Sequence, residues 1–102
     1  MPMTTSEKVL VVDDHTSICV VLQDLLQRHG YVVATARNYD EAVPVLEGDD
    51  ISVVITDLKM PGKSGMDLLT FARRKRPEVP VIMITGHGNI EDAVRAMTCL
   101  LY

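Results

Sequence analysis

The chain has 102 residues, 47% of them apolar and 24% charged, which excludes a disordered segment and sets the expectation at one domain. At 11.3 kDa it can bury roughly 65% of the surface that its unfolded form exposes, enough for a core without metal clips or disulfide staples. A net charge of −4 and a pI near 5.2 argue against direct nucleic-acid binding, and 4% aromatics leave little for a base-stacking platform. The apolar runs are short, so neither a transmembrane helix nor a signal peptide is expected. Cys19 and Cys99 stand far apart. They form no zinc pair or disulfide framework and read as packed thiols of a reducing cytoplasm.

In chain order, the first apolar run is Val9 to Val12, followed by a helical stripe of Ile18, Val21, Leu22, Leu25 and Leu26 that ends at Gly30. A second run, Tyr31 to Ala34, leads into a weaker helical segment from Asp40 to Glu47, where Pro44 removes a backbone donor. The third run is Ile51 to Ile55, and a helix with Met66, Leu68, Leu69 and Ala72 begins after Ser64 and stops before Pro77. Val81 to Ile84 is the fourth run, followed by a helix from Asn89 with Ala93, Val94 and Met97. Three of the runs, V-L-V-V, S-V-V-I and V-I-M-I, are continuous rather than alternating, as expected of parallel strands covered on both faces. Strand–helix alternation of this kind predicts an α/β fold with a doubly wound parallel sheet.

Right-handed crossovers place the carboxyl ends of all strands at one edge, where open α/β sheets hold their ligands. The first run leads into Asp13 and Asp14, the third into Asp57 and the fourth into Thr85. If the carboxylates lie about 5 Å apart, two unit charges repel by roughly 3 kcal/mol at an effective dielectric of about 20. Such a cluster calls for a cation, and an all-oxygen donor set with no histidine at matching spacing selects Mg²⁺, with Mn²⁺ as the alternative, over zinc. Magnesium favours one or two carboxylates plus a phosphate. One carboxylate is thereby left as a nucleophile toward phosphorus, with a hydroxyl such as that of Thr85 to hold a phosphoryl oxygen. The bland alternative is that Asp13 and Asp14 cap the next helix and Thr85 ends a strand. Lys59 and Lys63 read as solvated loop lysines, and His15 and His87 as exposed loop histidines.

The segments V-L-V-V-D-D at 9–14, T-D-L-K-M-P-G-K-S-G at 56–65, V-P-V-I-M-I-T-G-H-G at 79–88 and D-A-V-R-A-M at 92–97 resemble bacterial two-component response-regulator receiver domains, most of all those of the nitrogen-regulation branch. The resemblance implies a flavodoxin-like sheet of order 2-1-3-4. It also implies Asp57 as phosphoacceptor, Asp13, Asp14, Asp57 and the main-chain carbonyl of Lys59 as Mg²⁺ ligands, and Thr85 as the switch hydroxyl. A sensor histidine kinase would be the phosphoryl donor, and the location cytoplasmic. On this reading residues 1–7 form a disordered or extended tail and 8–102 the receiver domain, a signalling switch rather than a turnover enzyme.

The family pattern continues with a fifth strand bearing a lysine and a fifth helix, whereas this sequence reads T-C-L-L-Y to Tyr102. The receiver is therefore expected to be incomplete at its C-terminus and impaired in phosphorylation. Its fourth strand would be a bare edge through which the chain self-associates or exchanges segments. Two other functions remain: an unphosphorylated decoy or dimerisation module, and an aspartyl-nucleophile phosphatase. The phosphatase is disfavoured because the acids are adjacent, Asp13-Asp14, rather than D-x-D. Flavin binding is disfavoured by the lack of a glycine- and hydroxyl-rich phosphate loop after the first run.

Overall fold

The computed structural model describes residues 7–84. Four parallel strands, β1 (Lys8–Val12), β2 (Val32–Ala36), β3 (Val53–Asp57) and β4 (Val81–Ile84), alternate with α1 (Thr16–Arg28), α2 (Tyr39–Gly48) and α3 (Gly65–Lys75). The sheet order is β2-β1-β3-β4, as expected of the flavodoxin-like arrangement. The fourth helix expected from Asn89 lies outside the described residues, as do Cys99 and Tyr102.

The continuous apolar character of β1 follows from its position. Leu10 and Val12 point into one core with Ala42 and Leu46 of α2 and Leu68 and Ala72 of α3. Val9 and Val11 point the other way, into a core with Cys19, Leu22 and Leu26 of α1. Residues of a central strand thus feed two cores by simple alternation, and both faces must be apolar. Leu10, Leu22, Leu26, Leu46 and Leu68 are fully buried, each worth about 1.5–3 kcal/mol relative to exposure. The fourth run is less covered than its continuous apolar pattern suggests, Val81, Ile82 and Met83 being only half-buried; β4 lies at the sheet edge among the described residues.

Two further local expectations, the start of β2 and the inward face of the helices, are corrected. Strand β2 begins at Val32 and runs to Ala36, two residues beyond the apolar run. The reason is the end of α1, where Gly30 takes a left-handed φ of +89° and the Tyr31 N–H donates to the Leu26 carbonyl at 3.1 Å while Gly30 N–H donates to Gln27 at 3.0 Å. That pair of bonds is the Schellman closure, which ties Tyr31 to the helix and lets the ladder start one residue later. Val21 and Met66, counted in the buried stripes, are 43% and 51% exposed; Cys19 and Phe71 occupy the inward positions instead. Helix α2 forms in spite of Pro44. Its start is fixed by Asn38, whose side chain accepts from Glu41 N–H at 2.8 Å, and Pro44 lies on the solvent side, opposite buried Ala42 and Leu46.

Arg76 closes the far end of α2. Its guanidinium donates to the carbonyls of Leu46 at 2.7 Å and Asp49 at 3.0 Å, satisfying acceptors that a helix terminus leaves without partners. Helix α3 begins with a capping box: the Ser64 side chain accepts from Met66 and Asp67 N–H groups, and the Asp67 carboxylate accepts from Ser64 N–H at 2.8 Å. These devices fix where the loops leave the sheet, and hence where their acidic residues sit.

Candidate functional site

Register and alternation together dictate which acids meet. The β1–β3 ladder ends at Val12↔Thr56, so Asp13 and Asp57 occupy the next rung. Both continue the odd-numbered series Val9–Val11 and Val53–Ile55 that faces α1. Asp13 is fully buried and Asp57 is 7% exposed; Asp14, where the chain turns toward α1, is half-buried. One ligand atom from each of Asp13, Asp14, His15 and Asp57 falls within a cluster no wider than 4.8 Å. The three acids singled out from the sequence are therefore brought together in one pocket.

Asp13 is held from several sides. Its N–H donates to Ala36 C=O at 3.0 Å, and its Oδ1 accepts from the backbone N–H of His15 at 2.9 Å. Its carbonyl accepts from the Cys19 thiol at 3.4 Å, and burial pushes that thiol's pKa up. Cys19 is thus a packed, un-ionised group. On the β3 side the buried Thr56 hydroxyl donates to the Asp57 carbonyl at 3.0 Å. Gly65 N–H donates to the Leu58 carbonyl at 2.9 Å, and Leu58 N–H to Ile84 C=O at 3.2 Å. The backbone on both sides of the cluster is therefore pinned.

At a spacing of 4.8 Å, two carboxylates repel by about 3.5 kcal/mol at an effective dielectric of about 20. Asp14 Oδ1 is buried and accepts no hydrogen bond among the described residues. Three convergent carboxylates, one with a buried oxygen lacking a hydrogen bond, fit a small divalent cation such as Mg²⁺.

His15 corrects the sequence reading. A ring nitrogen joins the oxygens of the cluster: Nδ1 of His15 lies 3.0 Å from Asp13 Oδ1 and 3.4 Å from Asp14 Oδ1. His15 was expected to be a solvated loop histidine, and its side chain is indeed 52% exposed, but its inner edge belongs to the cluster. Its signal in the sequence was position: directly after the acidic pair and before the first helix, it is the α1 N-cap residue, and it makes no side-chain cap bond there. The ring turns to the carboxylates instead.

The Asp13 hydrogen bond, then the charge of Asp14, with smaller contributions from Asp13 and Asp57, hold the His15 pKa above its ordinary 6.5. The ion pair favours the folded state fully below about pH 6.5 and fades as pH rises through the folded value. An NMR titration of the cation-free protein should place the His15 midpoint above 6.5, and Asp13→Asn should lower it more than Asp14→Asn. A midpoint unmoved by either substitution would contradict the assignment.

Of the remaining sequence candidates, Lys59 is exposed. Lys63 is not merely solvated: its ammonium sits 4.7 Å above the Tyr39 ring, which in turn meets Phe71 edge-on at 6.2 Å between centroids. Thr85 and His87 lie outside the described residues. No helix among the described residues is long and apolar enough to cross a membrane.

Comparison with known proteins agrees with this geometry. The chain is 38% identical over 91 residues to the nitrogen assimilation regulatory protein NtrX of Azorhizobium caulinodans, covering 87% of this chain and 20% of that one. It is 39% identical over 88 residues to the transcriptional regulatory protein GlrR of Escherichia coli, again 86% of this chain and 20% of that one. The chain thus spans about a fifth of the length of these curated relatives. Among solved structures it superposes on the response regulator TrrA of Thermotoga maritima, in complex with Mg²⁺–BeF, with a TM-score of 0.83 and 25% identity, covering 92% and 98% of the two chains. The chemotaxis response regulator CheY4 of Vibrio cholerae gives 0.82 and 26%, covering 94% and 99%. The family description "Response regulator receiver domain" matches residues 9–100, and with its sheet order and acidic strand ends the chain belongs to that family of two-component signalling modules.

Proposed function

We propose that this receiver accepts a phosphoryl group on Asp57 from a phosphohistidine of a sensor kinase in the cytoplasm, and changes conformation as a result. The observation that carries the proposal is the convergence of Asp13, Asp14 and Asp57 at the carboxyl end of β1 and β3. A carboxylate oxygen of Asp57 attacks phosphorus as the P–N bond to the donor imidazole breaks, giving an aspartyl-phosphate. Asp13, Asp14, Asp57 and the Lys59 carbonyl would hold Mg²⁺, or Mn²⁺, which when bound would supply the charge that offsets the phosphoryl oxygens. Asp13, fixed by Ala36 and His15, orients the pocket. By resemblance, the Thr85 hydroxyl holds one phosphoryl oxygen. Residues 8–102 form the receiver unit on this reading, and its output is transcriptional, as the names of the relatives indicate for those proteins. Self-association or segment exchange at the β4 edge belongs to the same proposal. The step uses the protein's own aspartate once per signal, which makes the domain a switch and not a turnover enzyme.

Incubation with acetyl phosphate, read by intact-protein mass and ³¹P NMR, should add one hydroxylamine-labile phosphoryl group in the presence of Mg²⁺ and none after chelation. Asp57→Asn should abolish it. Undiminished labelling in Asp57→Asn would remove Asp57 as the acceptor and overturn the proposal.

A further inference from the structure

We infer that Thr56 is a positioning residue for the phosphoacceptor: its hydroxyl clamps the peptide unit that follows Asp57 and so fixes where the Asp57 carboxylate points. The inference rests on the reading of Asp57 as the acceptor and adds a residue on the other face of the sheet. Thr56 is fully buried. Val54, on the same strand, enters the core beneath α2 and α3, so strand alternation puts the Thr56 side chain on that face and the Asp57 carboxylate on the α1 face. A valine of nearly the same shape would suit a buried strand at least as well. Burying a hydroxyl is unfavourable unless it is bonded, so its presence calls for a reason beyond packing.

The reason lies in the peptide unit between Asp57 and Leu58. Its oxygen, that of Asp57, accepts from Thr56 Oγ1 at 3.0 Å. Its N–H, that of Leu58, donates to the Ile84 carbonyl at 3.2 Å. Gly65 closes against the same oxygen so tightly that a Cβ there would collide with it. The Gly65 N–H also holds the next carbonyl, that of Leu58, at 2.9 Å. The peptide unit before Asp57 belongs to the ladder, since Thr56 and Asp57 pair with Met83 and Ile84. With both flanking planes held, the backbone dihedrals of Asp57 are set and its Cα–Cβ bond has one direction. That direction brings the carboxylate to Asp13 and Asp14. Removing the hydroxyl takes a donor from the Asp57 oxygen and releases ψ of Asp57, so the carboxylate and the chain leading to Lys59 lose their fixed relation. In-line attack needs the carboxylate oxygen about 3–3.5 Å from phosphorus and aligned with the bond that breaks, so this loss falls on the chemical step.

The test compares Thr56→Val and Thr56→Ser with the parent in the acetyl phosphate reaction at saturating Mg²⁺. Valine keeps the shape and removes the donor; serine keeps the donor and removes the methyl group. Thr56→Val should lower the maximal labelling rate by about 10–100-fold, the scale expected of a misplaced reacting group. The half-saturating acetyl phosphate concentration should stay as in the parent, because the phosphodonor still binds. Thr56→Ser should recover most of the lost rate even if the missing methyl group makes it melt earlier than the valine variant. Equal rates in Thr56→Val and the parent overturn the inference, as does a rate that follows the melting temperature instead of the hydroxyl. Amide hydrogen exchange adds a readout that needs no phosphorylation. The Leu58 N–H should exchange about 10-fold faster in Thr56→Val than in the parent, as local opening becomes easier, and Thr56→Ser should stay near the parent. Unchanged Leu58 exchange in Thr56→Val overturns the clamp. A parent labelled on Asp57 at a rate that Thr56→Val does not alter loses only the present inference. A parent that takes no label removes the phosphoacceptor reading and the rate prediction with it; faster Leu58 exchange confined to Thr56→Val then still supports the clamp, and its absence overturns it.

Discussion

Gly65→Ala is expected to lower the melting temperature by about 10–20 °C, following a loss of about 2–3 kcal/mol from overpacking. A methyl group at this position would press on the main-chain oxygen of Asp57, come within 2.8 Å of Met83 Sδ and lie 3.1 Å from the Leu58 Cα. The methionine can move aside; the two backbone atoms belong to the strand end that positions the acid cluster and cannot. Gly62→Ala provides the contrast. Gly62 has a φ of +79° and open space around its Cβ position, so alanine there costs only the left-handed conformation, about 1 kcal/mol. Thermal melts of both variants check the difference, with Mg²⁺ affinity as a second readout. Gly65→Ala should weaken cation binding as well, since its strain falls on the Asp57 carbonyl. Equal melting temperatures for the two variants would show that the loop beneath the site yields more easily than its hydrogen bonds imply.

The contrast between the glycines shows what a linear sequence carries. That 13 and 57 would face the same side was legible because strand alternation and parallel register are strict rules: once Val9–Val12 and Val53–Ile55 are paired strands, the parity of these two acids is settled. Asp14, by contrast, joins them only through the turn after β1. Sheet order followed from the same alternation of elements together with the family resemblance. Side-chain direction at helix boundaries was not legible. Val21 has the right spacing for the buried face of α1 yet is 43% exposed, and Cys19 is inside, because the stripe's angular centre depends on where the helix starts. That the inner edge of exposed His15 meets the acids was not legible for a related reason. Whether an N-cap residue bonds its own helix or its neighbours is decided by a single χ1 rotation, and here it brings the ring nitrogen to the acids. The start of β2 one residue into its apolar run arose from the Schellman closure after Arg28, whose glycine was visible but whose use of the Tyr31 N–H was not.

Asp57→Asn should make the cation-free protein more stable by about 1–2 kcal/mol, a gain within the range found for relieved functional sites. The buried cluster places like charges no more than 4.8 Å apart, and removing one charge relieves two repulsive pairs while preserving shape. The amide still fits where Asp57 is 7% exposed. Mg²⁺ should reverse the order. In the parent, a Mg²⁺ concentration about 100 times the dissociation constant adds about 2.7 kcal/mol through preferential binding to the folded state. The variant, short of one carboxylate, should gain little at that concentration. Denaturant melts with and without Mg²⁺ would then cross: the variant ahead in chelator, the parent ahead in excess cation. Protonated His15 partly offsets the repulsion, since its pKa is raised by Asp13, Asp14 and Asp57. The variant's advantage should therefore be larger in an alkaline buffer, where the imidazole is neutral, than in an acidic one. A parent that is the more stable of the two in chelator at alkaline pH would mean that hydrogen bonds to the Asp57 carboxylate outweigh its repulsion by the neighbouring acids. The cluster would then be a set of structural acids, with no standing tension for a cation to release.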